Sequence, residues 1–86
     1  MNYKIVYTKQ AEKDFEKVKT QPALLSSVKK LVAKLRENPF SPPYERLVGD
    51  LNGYYSRRIN IQHRLVYQVI EAEQTVKVLR MWTHYD

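Results

Sequence analysis

The 86-residue sequence predicts an α+β fold, in which an N-terminal strand and two helices precede an antiparallel β-meander. Apolar and polar residues alternate near the N-terminus, as they do in a half-buried strand. Apolar residues then recur at helical spacing over two segments. The second half contains three runs typical of strands, and their short connections favour antiparallel hairpins. We expect the helices to pack on one face of the twisted sheet.

The first strand is predicted at residues 3–7, which alternate and are rich in aromatic and β-branched side chains. Thr8 follows this strand, and a threonine hydroxyl at such a position can cap the first backbone N–H groups of a helix. Ala11, Phe15 and Val18 recur at helical spacing, which predicts the buried face of the first helix.

The second helix is predicted to begin at Pro22, because proline suits the first turn of a helix, and to end before Pro39. Its apolar stripe comprises Leu24, Leu25, Val28, Leu31, Val32 and Leu35. We predict that this stripe belongs to the hydrophobic core and has no catalytic role.

The second half opens with a loop at residues 38–44, which contains three prolines, and Glu45 lies where this loop becomes a strand. A turn is predicted at residues 50–53. The meander strands are predicted at residues 54–61, 64–70 and 75–82. No repeat or linker divides the chain, so we predict a single domain over residues 1–86.

Composition excludes several classes of protein. No apolar run reaches the ~18 residues of a transmembrane helix, and the N-terminus lacks the features of a secretory signal. The absence of cysteine excludes disulfides and zinc–thiolate sites, and two histidines do not by themselves form a metal site. We therefore predict a cytoplasmic protein.

The formal net charge of +6 favours a polyanionic partner or an acidic protein, although a soluble domain with a lysine-rich helical face would have the same charge. Most lysines lie in the first half, whereas arginines dominate the second: Arg46, Arg57, Arg58, Arg64 and Arg80. The arginine guanidinium fits phosphate oxygens bidentately. We therefore expect any phosphate chemistry in the second half.

Strand alternation decides which side chains of the meander share a face. On the first meander strand, one face carries Tyr54, Ser56, Arg58 and Asn60. The other face, which is more apolar and is predicted to pack on the helices, carries Tyr55, Arg57, Ile59 and Ile61. On the next strand, Arg64, Val66 and Gln68 share a face opposite Leu65, Tyr67 and Val69.

A sheet face that carries Arg58 and Arg64 beside Tyr54 would suit single-stranded RNA. The cations would contact phosphates, and the tyrosine ring would stack on a base. An ordinary solvent-exposed face with strand-favouring tyrosines would show the same pattern, so both interpretations stay open.

Glu45, Arg64 and His84 are the residue types that metal-free RNA cleavage needs: a group that takes the proton of the ribose 2′-hydroxyl, a cation at the phosphate, and a group that protonates the leaving 5′-oxygen. A salt bridge is the alternative role for Glu45. The predicted strand at 75–82 would hold the tail in place, so that His84 and Tyr85 form a placed pair. The alternative is an exposed histidine without a role.

Two further residues are predicted to be non-catalytic. His63 lies in or beside a tight turn, which favours a position on the surface. Arg57 is predicted on the core-facing side, where pairing with an acidic residue would make it structural.

Three motifs resemble the YoeB (Txe) branch of the RelE-type bacterial toxins. They are the segment at residues 51–59 with its Ser-Arg-Arg-Ile run, the His-Arg-Leu-Val-Tyr run at 63–67, and the terminal His84-Tyr85 pair. The order of strands and helices agrees over essentially the whole chain, although the first half matches only in pattern.

The resemblance implies a ribosome-dependent endoribonuclease that cuts mRNA in the ribosomal A site. By position, Glu45 matches the family's general base, Arg64 its phosphate-stabilising arginine and His84 its general acid. Tyr85 matches the neighbouring terminal tyrosine, and Arg58 a supporting substrate-binding arginine. The implied reaction is attack of the 2′-hydroxyl on the adjacent phosphate, for which no metal or other cofactor is required.

The resemblance also implies partners. These are a cognate antitoxin of the YefM/Phd-like kind, the ribosome with its A-site mRNA, operator DNA bound only by the toxin–antitoxin complex, and a second copy of the chain in a homodimer. The antitoxin should carry an acidic or partly disordered segment, because it must neutralise a basic face.

The sequence departs from the family pattern at three places. The loop before Glu45 is Ser-Pro-Pro-Tyr at residues 41–44, without the usual glycine, and Val48 replaces a frequent lysine. Asp86 follows the His-Tyr pair. Two alternatives therefore stay open: a degenerate member that binds only antitoxin and operator DNA, and a non-enzymatic toxin that inhibits a protein target such as gyrase. Gyrase-directed relatives generally lack the glutamate, arginine and terminal histidine together.

Overall fold

The structure, a computed structural model, describes residues 2–47 and 53–82 and contains a five-stranded sheet with two α-helices. In chain order these are β1 (Lys4–Tyr7), α1 (Lys9–Val18), α2 (Pro22–Glu37), β2 (Glu45–Arg46), β3 (Tyr54–Arg58), β4 (Arg64–Ile70) and β5 (Thr75–Arg80). The order of strands in the sheet is β1-β5-β4-β3-β2. The predicted α+β fold is confirmed. The sheet is mixed, because β1 lies parallel to β5 whereas the other neighbours are antiparallel.

The limits of both helices agree with the signals in the sequence. The Thr8 hydroxyl accepts a hydrogen bond from the Ala11 N–H at 3.0 Å and caps α1. Pro22 is the first residue of α2, and Asn38 closes the helix just before Pro39. Among the described residues, no helix has the length and apolar character needed to cross a membrane.

The core lies between the helices and one face of the sheet. The predicted stripe of α2 contributes four buried residues, Leu24, Val28, Leu31 and Leu35, while Leu25 and Val32 are partly buried. From the sheet, the buried residues that join them are Leu65, Tyr67, Val76 and Val78. Because both helices cover this face, the side chains that point the other way are left for a functional site.

The loop at residues 38–44 is fixed to the sheet by two buried polar side chains. The Tyr67 hydroxyl donates to the Pro39 carbonyl at 2.8 Å, and burial raises the pKa of that hydroxyl. The Arg57 guanidinium donates to the Ser41 carbonyl at 2.9 Å. Arg57 is buried on the helix-facing side, as predicted. The prediction that Arg57 pairs with an acidic residue is wrong for the described part of the chain, because the guanidinium donates to the Ser41 carbonyl instead.

The β3–β4 connection is longer than predicted. The Asn60 side-chain oxygen accepts the backbone N–H groups of Gln62 and His63 at 2.9 and 2.7 Å, which closes a local turn and ends β3 at Arg58. Ile61 therefore lies at the tip of the turn, 88% exposed. The prediction that Ile61 packs on the helices is wrong. At the other end of the meander, β5 ends at Arg80 instead of residue 82.

Asp14 of α1 is a buried carboxylate, only 1% exposed, that accepts hydrogen bonds from the side chain of Arg80 and the backbone N–H of Met81. Burial alone would raise the pKa of this carboxyl. The hydrogen bonds from Arg80, Met81 and Gln10 outweigh that effect and hold the pKa below its ordinary value.

Asp14 should make the stability of the protein dependent on acid. Because its folded pKa is lowered, its contribution to the free energy of unfolding is complete above the unfolded pKa of about 3.9 and is lost as the pH falls through the folded pKa. Urea unfolding between pH 6 and pH 2 should show wild type losing its advantage over Asp14→Asn at the acidic end. Glu12→Gln, which removes an exposed carboxylate of the same helix, controls for charge. A constant difference between wild type and Asp14→Asn at every pH would contradict this assignment.

Candidate functional site

The register of β2, β3 and β4 brings three of the predicted site residues to one place. Glu45 of β2 pairs with Ser56 of β3, and Ser56 pairs with Val66 of β4. Two residues further along the same strands, Arg58 pairs with Arg64. Cross-strand partners point to the same face, so Glu45, Arg58 and Arg64 all lie on the face that the helices leave uncovered.

Glu45 and Arg64 are in direct contact. The Arg64 Nη2 lies 2.8 Å from the Glu45 Oε1. The two side chains differ in exposure, since Arg64 is 11% exposed and Glu45 is 68% exposed. The guanidinium is therefore held in place, while the carboxylate stays accessible to a molecule that approaches from solvent.

Ser56 holds the other edge of the same guanidinium. Its hydroxyl oxygen, in a residue that is 1% exposed, accepts from the Arg64 Nε at 3.2 Å. To reach Glu45, the Arg64 side chain must cross β3 above Ser56. A small side chain with an acceptor atom suits this position. The sequence placed Ser56 on the same face as Arg58, but its contact with Arg64 depends on the strand register.

These side chains line a small cleft of about 210 Å³, together with residues of the proline loop. Its lining comprises Pro43, Tyr44, Glu45, Arg57, Arg58 and Arg64. The guanidiniums of Arg58 and Arg64 outnumber the single carboxylate, which gives the cleft a positive balance that suits a phosphate group. Arg57 also borders the cleft, but it is buried and donates to the Ser41 carbonyl. The volume is below the roughly 300–1,000 Å³ of pockets that enclose a whole small molecule, so the cleft would take only part of a large anionic ligand.

Tyr54 lies on the predicted face, half-buried and paired with Gln68, two residues from Ser56. Among the described residues, Tyr54 is not one of those that line the cleft. Tyr44 and Pro43, which the sequence did not single out, do line the cleft. Tyr44 packs edge-on against Tyr55, with ring centroids 5.6 Å apart, so it contacts the aromatic side of β3.

His84 and Tyr85 lie outside the described residues, as does Val48. The last described residue, Trp82, stacks on His63 with ring centroids 4.2 Å apart. His63 is only 2% exposed, so its predicted surface position is wrong. The turn closed by Asn60 directs His63 inward, where its ring packs on the indole.

The contact between Ser56 and Arg64 can be tested on the protein alone. In Ser56→Ala, the Arg64 Nε–H should lose its acceptor and exchange with solvent faster, by about tenfold for a hydrogen bond worth roughly 1.4 kcal/mol. Ser56→Thr keeps the acceptor oxygen and serves as the matched control. NMR exchange measurements on the arginine Nε–H groups would show the difference. Equal protection in wild type and Ser56→Ala would show that Ser56 does not hold this guanidinium.

Comparison with known proteins agrees with the sequence motifs. Residues 7–85 match a family model described as YoeB-like toxin of bacterial type II toxin-antitoxin system. The chain is 40% identical over 60 residues to toxin YoeB of Mycobacterium bovis, which covers 67% of this chain and 68% of that protein. It is 35% identical over 65 residues to toxin YoeB of a Synechocystis strain, which covers 73% of each chain.

Solved structures show the same likeness. A YoeB/ParE toxin from Agrobacterium tumefaciens superposes with a TM-score of 0.87 at 33% identity, covering 95% of this chain and 99% of that one. A YoeB dimer from Staphylococcus aureus gives a TM-score of 0.84 at 29% identity, with 99% and 100% coverage. The resemblance of the motifs at 51–59 and 63–67 is thereby confirmed, and the chain belongs to the YoeB-like toxins of bacterial type II toxin–antitoxin systems.

Proposed function

We propose that this toxin is an endoribonuclease that cuts mRNA in the ribosomal A site. The observation that carries the proposal is the 2.8 Å contact between Glu45 and Arg64 in a cleft that Arg58 also lines. An accessible carboxylate beside guanidiniums is the arrangement that proton removal next to a phosphate requires.

In the proposed reaction, Glu45 takes the proton of a ribose 2′-hydroxyl while the 2′-oxygen forms a bond to the adjacent phosphorus. The bond from phosphorus to the 5′-oxygen breaks, and the leaving oxygen takes a proton from His84. The products are a 2′,3′-cyclic phosphate and a free 5′-hydroxyl. Arg64 and Arg58 stabilise the negative charge that gathers on the phosphate oxygens. We assign Tyr85 and Tyr54 to contacts with the RNA around this centre.

The ion pair at the centre of the site has a role before and after RNA binds. Without RNA, Glu45 neutralises Arg64, which limits the repulsion between Arg64 and Arg58 across the β3–β4 pair. When a phosphate enters the cleft, the guanidinium gains a second anionic partner. The exposed oxygen of Glu45 is then free to accept the substrate proton.

The shape of the site favours a substrate that is held by something else. A cleft of about 210 Å³ on an open sheet face cannot enclose several nucleotides. Orientation of the reacting 2′-hydroxyl and phosphate is worth many orders of magnitude in rate. The ribosome supplies this orientation by holding the mRNA, and the net charge of +6 attracts the toxin to ribosomal RNA.

Two solved relatives support the proposed protein partners. One relative is a YoeB–YefM complex from Staphylococcus aureus, and another is a YoeB dimer from the same organism. We propose that a YefM-like antitoxin with an acidic or partly disordered segment covers the basic face around Arg58, that the toxin forms a homodimer, and that only the toxin–antitoxin complex binds operator DNA. We place this activity in the cytoplasm, where ribosomes translate mRNA.

A stalled translation complex with an occupied P site and an open A site tests the proposed reaction. Wild type should cut the mRNA and leave a cyclic phosphate, whereas His84→Gln should lower the rate by about 10²–10⁴-fold, the usual contribution of general acid catalysis. Glu45→Gln should also be defective. Arg46→Gln, which changes the exposed neighbour of Glu45 on β2, is the matched control and should cut normally.

The same mRNA without ribosomes should stay intact. Equally fast cleavage of free mRNA would refute ribosome dependence. If a folded, antitoxin-free toxin does not cut the mRNA on the ribosome, the chain instead acts by binding its antitoxin and DNA or by inhibiting a protein target.

A further inference from the structure

The proposed mechanism leaves one buried charged group, Asp14 of α1, without a role. Its Oδ2 accepts from the Arg80 Nε at 2.8 Å, from the Met81 N–H at 3.0 Å and from the Trp82 N–H at 3.3 Å. Its Oδ1 accepts from the Gln10 side chain at 3.1 Å. One carboxylate on a helix thus binds three consecutive residues at the end of the last described strand.

The residues that Asp14 binds lie where the sheet no longer holds the chain. The ladder between β4 and β5 ends with the pairing of Val66 and Arg80. The N–H groups of Met81 and Trp82 therefore lie beyond the strand, and Asp14 accepts both of them. A strand end that has lost its neighbour ordinarily frays. Here the carboxylate replaces the missing strand and holds the chain for two further residues.

A second set of contacts fixes Trp82 from its side chain. Its ring stacks on the buried His63 of the β3–β4 turn at 4.2 Å, and the Nζ of Lys17 lies 5.9 Å from the centre of the indole. Helix α1 and the β3–β4 turn therefore converge on the same residue. This convergence lies two residues before His84 in the chain.

Burial of Asp14 is costly for the fold. It sits one turn from the buried core residues Ala11 and Val18, and an apolar residue at such a position would join α1 to the sheet without desolvating a charge. What the carboxylate provides instead is a fixed position for residues 80–82. Two residues of chain span at most about 7 Å, so a residue that is fixed by its contacts restricts where its near neighbours in the sequence can lie.

We propose that Asp14 is a positioning residue for the general acid: by fixing residues 80–82 it places His84 at the leaving oxygen of the scissile phosphate. This inference rests on the proposed function. Asp14 is only 1% exposed, so RNA cannot reach it and its effect on the reaction must pass through other residues. Its loss should therefore weaken only the step that needs the acid, which is protonation of the leaving 5′-oxygen.

An mRNA with sulfur in place of the bridging 5′-oxygen separates this step from the others. The 2′-oxygen still attacks phosphorus and Glu45 still takes its proton. The bond that breaks is now phosphorus–sulfur, and its electron pair leaves on sulfur as a thiolate. A thiolate is a much weaker base than an alkoxide, so it departs without a proton from an acid.

Wild type and variants would be compared on both mRNAs in the stalled translation complex, below the melting temperature of each variant. Asp14→Asn should lower kcat on ordinary mRNA by about 10–100-fold with little change in KM, as expected for a misplaced catalytic group. On the sulfur-containing mRNA it should cut within about twofold of wild type, because no acid is needed there. His84→Gln should show the same pattern, whereas Glu45→Gln should be slow on both mRNAs.

Two further variants separate positioning from loss of stability. Leu35→Ala weakens the core at the C-terminal end of α2, which contacts Tyr3 beside the start of β5, and it should not discriminate between the two mRNAs. Trp82→Leu removes the stack on His63 but leaves the Asp14 carboxylate paired with Arg80 and Met81. It should reproduce the defect of Asp14→Asn in milder form, and it is the deciding variant if Asp14→Asn does not fold.

Other results would contradict the positioning role of Asp14 or the nuclease activity itself. If the folded Asp14→Asn variant is equally slow on both mRNAs, or as fast as wild type on both, Asp14 does not act through the acid. If Asp14→Asn is unfolded, Trp82→Leu decides the question. The positioning role is then refuted if Trp82→Leu is slowed equally on both mRNAs or on neither. If wild type cuts neither mRNA, the proposed nuclease function itself is wrong.

Discussion

The site depends on how the structure tolerates two arginines that face each other across neighbouring strands. Arg58 and Arg64 are cross-strand partners, and like charges in that arrangement repel. The short strand β2 reduces this repulsion, because its register places the Glu45 carboxylate on the same face, 2.8 Å from Arg64. A strand of only two residues thus supplies the carboxylate that lowers the repulsion between the two cations on this face.

That short strand is in turn held by the opposite side of the sheet. Tyr67 and Arg57 point toward the helices, yet their polar ends bind the carbonyls of Pro39 and Ser41 in the loop that leads to Glu45. Aromatic contacts among Phe40, Tyr44 and Tyr55 fill the space beneath the loop. Residues on the core side of β3 and β4 therefore position the loop, while residues on the open side position the guanidiniums. Because side chains alternate between the two faces of β3 and β4, the same two strands hold the loop on one face and the site arginines on the other.

Much of this arrangement was predictable from local pattern. Hydrophobic spacing indicated both helices and the limits of β4, and period-two alternation placed Arg58, Arg64 and Tyr54 on one face. These are properties of a few neighbouring residues. The closeness of Glu45 and Arg64 was not predictable, since it depends on the pairing of β2 with β3 across an intervening connection. The predicted positions of His63 and Ile61 were wrong because the Asn60 side-chain oxygen accepts the backbone N–H groups of Gln62 and His63 and so redirects the chain. The burial of Asp14 was not predictable, because an acidic residue in an amphipathic helix ordinarily faces solvent.

The order of strands has a consequence for how the protein is made. β5 lies between β1 and β4, so the first strand of the chain can join the sheet only through one of the last. A nascent chain that has emerged as far as β4 has no partner for β1. Such long-range pairing also slows folding, because the entropy cost of closing a large loop comes before the two strands can form any stabilising contact. Synthesis and folding of this toxin therefore cannot overlap fully, and a newly made chain passes through an interval in which its sheet is incomplete.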